Sequence, residues 1–184
     1  MSFEAYRIEN MLSLEETIAK ELFSGKTYPW EVLPDIGDFI VRLGNTLPED
    51  KFEKRGDDIW IAKSAHIFDS AYIAGPCIID EGAELRQCAF IRGKAIVGKK
   101  CVVGNSCELK NVVLHDGADT LATGYRKMGA ILGDWVEVGC NSVLNPGSVI
   151  GPHTNIYPLS MVRGCVPASH IYKDRDHVVA KENR

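Results

Sequence analysis

Ile61-Ala62-Lys63-Ser64-Ala65-His66-Ile67-Phe68-Asp69-Ser70-Ala71-Tyr72-Ile73 sets the pattern of this chain. An aliphatic residue recurs every six positions, and a small residue follows each by four. From Ile61 the aliphatic row runs through Ile67, Ile73, Ile79, Leu85, Ile91, Val97, Val103 and Leu109. Its companion row is Ala65, Ala71, Cys77, Ala83, Ala89, Ala95, Cys101, Cys107 and Val113. Neither a 3.6-residue helix nor a two-residue strand generates an unbroken period of six. A six-residue repeat with one large and one small apolar position is the pattern of a parallel β-helix. The aliphatic side chain fills the lumen, and the small one fits where the chain turns a corner. Gly82, Gly98, Gly104, Gly133, Gly139 and Gly151 allow the tight backbone.

The aliphatic row resumes at Leu132, Val138, Leu144, Ile150, Ile156 and Val162, with Val136, Ser142, Ser148, Thr154 and Ser160 four residues on. The step from Leu109 to Leu132 is not a whole number of hexads. The phase therefore breaks near 116–130. The chain divides into an N-terminal helical cap and linker (1–58), a β-helix (59–163) and a charged C-terminal tail (164–184) that is expected to form a short helix or to be mobile. In the cap, Ser13-Leu14-Glu15-Glu16 is a capping box, and Leu14, Ile18 and Leu22 share a helical face that ends at Gly25. A second short helix is expected from Asp35 to Leu43, stopped by Gly44.

At 184 residues, 45% hydrophobic and 25% charged, the chain has the composition of a globular protein and is not globally disordered. No apolar run approaches the roughly 20 residues that cross a bilayer. Met1-Ser2-Phe3-Glu4 has no basic or apolar leader character, so a cytoplasmic protein is expected. The 21 basic and 25 acidic residues argue against nonspecific nucleic-acid binding. The acids concentrate in residues 1–60, which leaves 61–184 with 14 bases to 12 acids and makes it the better host for an anion. None of the six cysteines forms a C-x-x-C pair, and no metal is expected. Cys77, Cys101 and Cys107 fall on the small row and read as apolar plugs.

The spacing resembles the left-handed parallel β-helix of hexapeptide-repeat acyltransferases, in which three hexads make one coil. In that frame Arg92 and Lys110 stack one coil apart, each just after a lumen residue. Two cations held about 4.8 Å apart repel unless an anion lies between them. Phosphate suits an Arg-plus-Lys pair. The bland alternative is a solvated pair of surface charges, with Glu108 close by. The stretches Phe90-Ile91-Arg92-Gly93 and Val103-Gly104-Asn105-Ser106-Cys107-Glu108-Leu109-Lys110-Asn111 resemble the acetyltransferase half of bacterial bifunctional enzymes that make UDP-N-acetylglucosamine. So do 127–134, 138–147 and 156–164. The resemblance implies an acetyl-CoA co-substrate, a glucosamine-1-phosphate acceptor held by Arg92 and Lys110, and a homotrimer. It places acyl-CoA beside Cys140 and Asn141, with Arg163 available to a CoA phosphate.

Two departures qualify this likeness. The G-x-G-T-R loop of the nucleotidyltransferase half is absent, so uridylyl transfer by this chain alone is rejected. The H-x-x-Y-x-G-D motif that supplies the catalytic base after the phosphate lysine is also missing. His115-Asp116-Gly117-Ala118 runs directly into Asp119-Thr120-Leu121-Ala122 where relatives carry that motif and one more coil. Either the base is lost, or a stretch between Ala118 and Asp119 is missing. Of the five histidines, His115 is the best-placed candidate base. Its position six after Leu109 also puts it on the lumen row, as a packed ring. Tyr125 is the candidate for the family's sugar-contacting tyrosine. A three-histidine zinc site, as in β-helical carbonic anhydrases, needs spacings that do not occur here. The function expected is acyl transfer to an amino-sugar phosphate. The rival is a non-catalytic β-helix that binds a sugar nucleotide or trimerises a partner.

Overall fold

The computed structural model describes residues 4, 7–15, 17–110, 112–114, 130–133 and 135–182. The chain forms two compact units. One comprises Met1–Glu16, Phe23–Glu31 and His115–Arg184, the other Thr17–Leu22 and Val32–Leu114. Each contains a β-solenoid stretch built from short strands.

The helical cap differs from expectation. Helix α1 covers Ile8–Met11, upstream of the capping box. No helix covers the described residues of 13–19, and a 3-10 turn spans Lys20–Phe23 instead. The cause is local. The Thr17 hydroxyl accepts a hydrogen bond from the Ala19 amide at 3.0 Å, so the side chain takes a donor in a non-helical turn. Helix α2, Ile36–Gly44, matches the second expected helix, but Gly44 is its last residue rather than its stop. A Cβ there would lie 2.3 Å from the Trp60 ring, so glycine is required for the ring to pack.

In the second unit, β1 (Phe52–Lys54) pairs antiparallel with β2 (Ile59–Ala62). The strands β3 (His66–Ile67), β4 (Tyr72–Ile73), β5 (Cys77–Ile79), β6 (Glu84–Leu85), β7 (Phe90–Ile91), β8 (Ala95–Val97), β9 (Val102–Val103), β10 (Glu108–Leu109) and β11 (Val112–Leu114) follow. They stack as three parallel faces in the order β2-β5-β8-β11, β3-β6-β9 and β4-β7-β10. The register joins Ile61 to Ile79 and Val97, Ile67 to Leu85 and Val103, and Ile73 to Ile91 and Leu109. These partners are the hexad row, taken at three hexads per coil. Cys77, Ile79, Leu85, Ile91, Ala95 and Val97 have no exposed surface. On the first face the outward row Trp60, Ile78 and Ile96 is apolar too, and it is buried because α2 packs on β5 and β8. The last coil is one residue short of three hexads: Val112 pairs with Ala95, and Leu114 with Val97. The register of the aliphatic row thus falls on 114 rather than on the expected 115. Of the three cysteine plugs, Cys77 is buried, Cys101 half-buried and Cys107 exposed. Burial pushes the Cys77 thiol up to about 12.

In the first unit the strands are β12 (Ile131–Leu132), β13 (Glu137–Val138), β14 (Val143–Leu144), β15 (Val149–Ile150), β16 (Asn155–Ile156), β17 (Met161–Val162), β18 (Cys165–Val166), β19 (His170–Asp174) and β20 (His177–Ala180). Leu132, Val138 and Leu144 pair with Ile150, Ile156 and Val162, again three hexads on. Beyond Val162 the expected helical or mobile tail is instead strand. Val166 pairs with Ile150 and Tyr172 with Ile156, each two residues short of a full coil. The tight corner is at Gly164, φ +84°, and the buried Tyr172 ring continues the lumen. β20 then closes an antiparallel hairpin on β19. Among the described residues no helix is long and apolar enough to cross a membrane.

Candidate functional site

Arg92 and Lys110 follow β7 and β10, whose register pairs Phe90 with Glu108 and Ile91 with Leu109. The Arg92 amide donates to the Leu109 carbonyl at 2.8 Å, so the pairing extends to Arg92 opposite Lys110. Residues two apart on a strand point to one side. Phe90 and Arg92 on one coil, Glu108 and Lys110 on the next, therefore form a four-cornered outward patch. Arg92 reaches across its diagonal: Nη1 donates to Glu108 Oε1 at 2.6 Å. The guanidinium lies 5.7 Å from the Phe90 ring centroid, and Tyr72, one coil below, meets Phe90 edge-on at 5.2 Å. The structure thus places the two predicted cations on one face, with Glu108 bonded to Arg92 alone of the two. Sequence reading missed the aromatic pair. Its signal was present: Tyr72 and Phe90 are three hexads apart, each just before a lumen residue.

The residues expected beside CoA lie in the other unit. Cys140 and Asn141 form the exposed corner between β13 and β14. Asn141 is left-handed, φ +56°, which Asn tolerates better than most residues, and the Cys140 carbonyl accepts the Leu159 amide at 3.0 Å. Arg163 stands at the corner after β17, one coil on and on the far side of the β14–β17 sheet. The outward row of that sheet is Val143 and Met161, exposed by 55% and 67%, so an apolar strip separates the corner at Asn141 from Arg163. His115 and Tyr125 lie outside the described residues. No cluster of three or more His, Cys, Asp or Glu able to hold a metal occurs among the described residues.

A second charged corner follows β5. Asp80 is 1% exposed and accepts the Glu81 amide at 2.7 Å. Burial pushes its carboxyl above the ordinary range, against the smaller pull of that amide and of Lys99 and Lys51. Half-buried Glu81 bonds to Lys99 at 3.1 Å and Lys51 at 3.4 Å, which holds its carboxyl low.

No protein-family model matches the sequence, and no curated protein matches it. Solved structures do. The acetyltransferase domain of PglB from Neisseria gonorrhoeae, in complex with acetyl coenzyme A, is 14% identical with a TM-score of 0.34, over 67% of this chain and 58% of that one. This chain therefore spans little more than half of that structure. A hexapeptide transferase family protein from Anaplasma phagocytophilum is 15% identical, TM-score 0.37, over 65% of this chain and 80% of that one. A hexapeptide-repeat acetyltransferase from Vibrio cholerae is 15% identical, TM-score 0.31, over 92% and 98%. Likeness at this level of identity and TM-score assigns no activity to this chain. The solenoid of this chain stands on its own strand register.

Proposed function

We propose that this protein transfers an acyl group, acetyl in the simplest case, from CoA to the amine of an amino-sugar phosphate. The observation that carries this reading is the Arg92–Lys110 stack, two cations one coil apart on one outward face. One phosphate accepts from both, in charge-assisted bonds that strengthen each other's geometry. Acyl-CoA fits the other patch. The uncharged arm would lie over Val143 and Met161, between the corner at Cys140 and Asn141 and a phosphate partner in Arg163. In the reaction the amine nitrogen bonds the thioester carbon, the C–S bond breaks, CoA leaves with the electron pair, and a base takes the ammonium proton. His115 is our candidate base and Tyr125 our candidate sugar contact. A homotrimer and a cytoplasmic location complete the proposal.

Calorimetric titration with glucosamine-1-phosphate tests it, with oligomer mass read by light scattering on the same samples. Lys110→Ala should weaken binding at least about tenfold, since a charge-assisted contact is worth roughly 1.5–3 kcal/mol. Melting should barely change, because an exposed cation contributes little to the fold. Unchanged affinity would reduce the pair to a solvated face, and a chain that binds phosphate yet transfers no acetyl would favour the binding module.

A further inference from the structure

We propose that Glu108 is a built-in competitor for the anion site, a specificity residue that an incoming phosphate must displace from Arg92. This rests on the reading of Arg92 and Lys110 as a phosphate site. The patch has two cations along one edge and one carboxylate, and the carboxylate engages Arg92, through Nη1 at 2.6 Å. Glu108 faces Phe90 directly, and Lys110 is the residue facing Arg92. The bond is therefore a diagonal one, drawn away from the position between the two cations where a shared ligand would sit. Both partners are half exposed, 43% for Arg92 and 51% for Glu108. An exposed pair is weak and exchangeable. The Phe90 ring beside the guanidinium limits where it can swing. Exchange thus leaves Arg92 on the same face, with Glu108 and a bound anion as alternatives for one donor set. A carboxylate or a phosphodiester carries a single charge and gains little over the resident carboxylate. A phosphate monoester carries close to two charges near neutral pH and three acceptor oxygens, enough to take Arg92 and Lys110 together. The site therefore selects monoester dianions, which excludes carboxylate metabolites and the internal phosphates of diesters.

The test is titration of the full chain with inorganic phosphate at pH 8, and with dimethyl phosphate as the monoanion. Glu108→Gln should tighten phosphate about twofold to fivefold, the scale of one released exposed ion pair. It should also bring dimethyl phosphate into measurable binding. Glu108→Asp, a shorter reach to the same guanidinium, should fall between. Glu84→Gln removes the same charge from a carboxylate that bonds Arg86 at 2.8 Å on another face. It should leave both affinities unchanged, which separates displacement from a general rise in positive field. In Glu108→Gln/Arg92→Ala the gain should vanish. If Glu108→Gln binds phosphate equally or more weakly while Arg92→Ala and Lys110→Ala still impair binding, the competitor role is wrong and the phosphate site stands. If phosphate binds without regard to Arg92 and Lys110, or does not bind, the site itself is wrong and this inference goes with it.

Discussion

The two solenoid stretches solve one problem in two ways. Every hexad must turn a corner, and in the middle coils the inside of that corner is buried. In residues 59–114 the corner is plugged with apolar atoms: Cys77, Ala83, Ala89 and Ala95 are at most 1% exposed. In residues 131–172 the same row carries hydroxyls. Ser148, Thr154 and Ser160 are buried, and each donates to a main-chain carbonyl one coil ahead: Val162 at 3.0 Å, Pro167 at 2.8 Å and Lys173 at 3.2 Å. A buried hydroxyl is tolerable only with a partner, so the second stretch trades dispersion for bonds between coils. Stacked corners make this possible, because the row above always presents carbonyls at the same spot.

The largest expected effect lies in the lumen. Ile91 is fully buried between Ile73 and Leu109. Ile91→Ala should cost about 2–5 kcal/mol in urea unfolding, and Ile91→Asp should prevent folding. Ile156→Ala, in the second stretch, should fall at the lower end of that range, since Ile156 keeps 3% exposure and its neighbours include the polar-tipped Tyr172. Equal costs would mean that the two lumens are packed alike and differ only at the corners. A cooperative fold for Ile91→Asp would put the hexad register itself in error.

That register is legible because one side-chain property, lumen filling, recurs without interruption from Ile61 to Leu109. It is lost where backbone geometry, not side-chain type, sets the count. The step from Ala95 to Val112 is one residue short of a coil, and the step from Ile150 to Val166 is two short. A strict step of six therefore misplaces the row at 115 and stops at Val162, although Val166 and Tyr172 resume it six apart. The N-terminal helix failed for a related reason: a capping box is a local signal, and Thr17 satisfies a local donor without a helix. At the candidate site the Arg92–Lys110 pairing followed from a coil of three hexads. The Arg92–Glu108 bond did not, because a diagonal contact depends on which rotamer the arginine adopts.

The corner contrast itself is tested at Thr154, whose Oγ1 donates to the Pro167 carbonyl and also accepts the His170 amide at 3.2 Å. Thr154→Val keeps the shape and strands both groups. It should cost about 1–3 kcal/mol, and Thr154→Ser, which restores the hydroxyl, should recover most of it. If Val is as stable as Thr, the hydroxyl corners are apolar plugs with incidental oxygens.

The first stretch has its own buried polar group, Asp80, and it is the exception that carries a pH signature. Burial raises its carboxyl, so the folded chain keeps a proton that the unfolded chain has released. The folded state binds more protons in that window, and stability conferred by this group falls as pH rises from about 3.9 through the raised value. Asp80→Asn can still accept the Glu81 amide and never ionises. Its stability relative to the parent should be at its lowest below that range, rise across it and level off above it, in urea unfolding run at a series of pH values. A constant difference across the series would place the Asp80 carboxyl in contact with water.

The smallest effect concerns what the stretches share. Left-handed residues punctuate the corners in both at six-residue steps: Cys88, Lys94, Lys100 and Ser106 in one, Asn141, Gly147, His153 and Leu159 in the other. Only some are residue types that favour this region, so no glycine or asparagine period marks these corners in the chain. Leu159, at φ +61° and 79% exposed, has little compensation, since its side chain packs on little. A non-glycine residue there costs roughly 1–2 kcal/mol, and glycine costs roughly 0.5–1 kcal/mol in unfolded-chain entropy. Leu159→Gly should therefore stabilise by a fraction of a kcal/mol to about 1 kcal/mol. Lys100→Gly, on the first stretch at φ +56°, should gain by a similar amount. The gains should add in the double variant, because the sites are remote in sequence and share no partner. A gain at Lys100 with a loss at Leu159 would show that the exposed leucine is covered by something in solution, and the corners of the two stretches would then differ in more than their plugs.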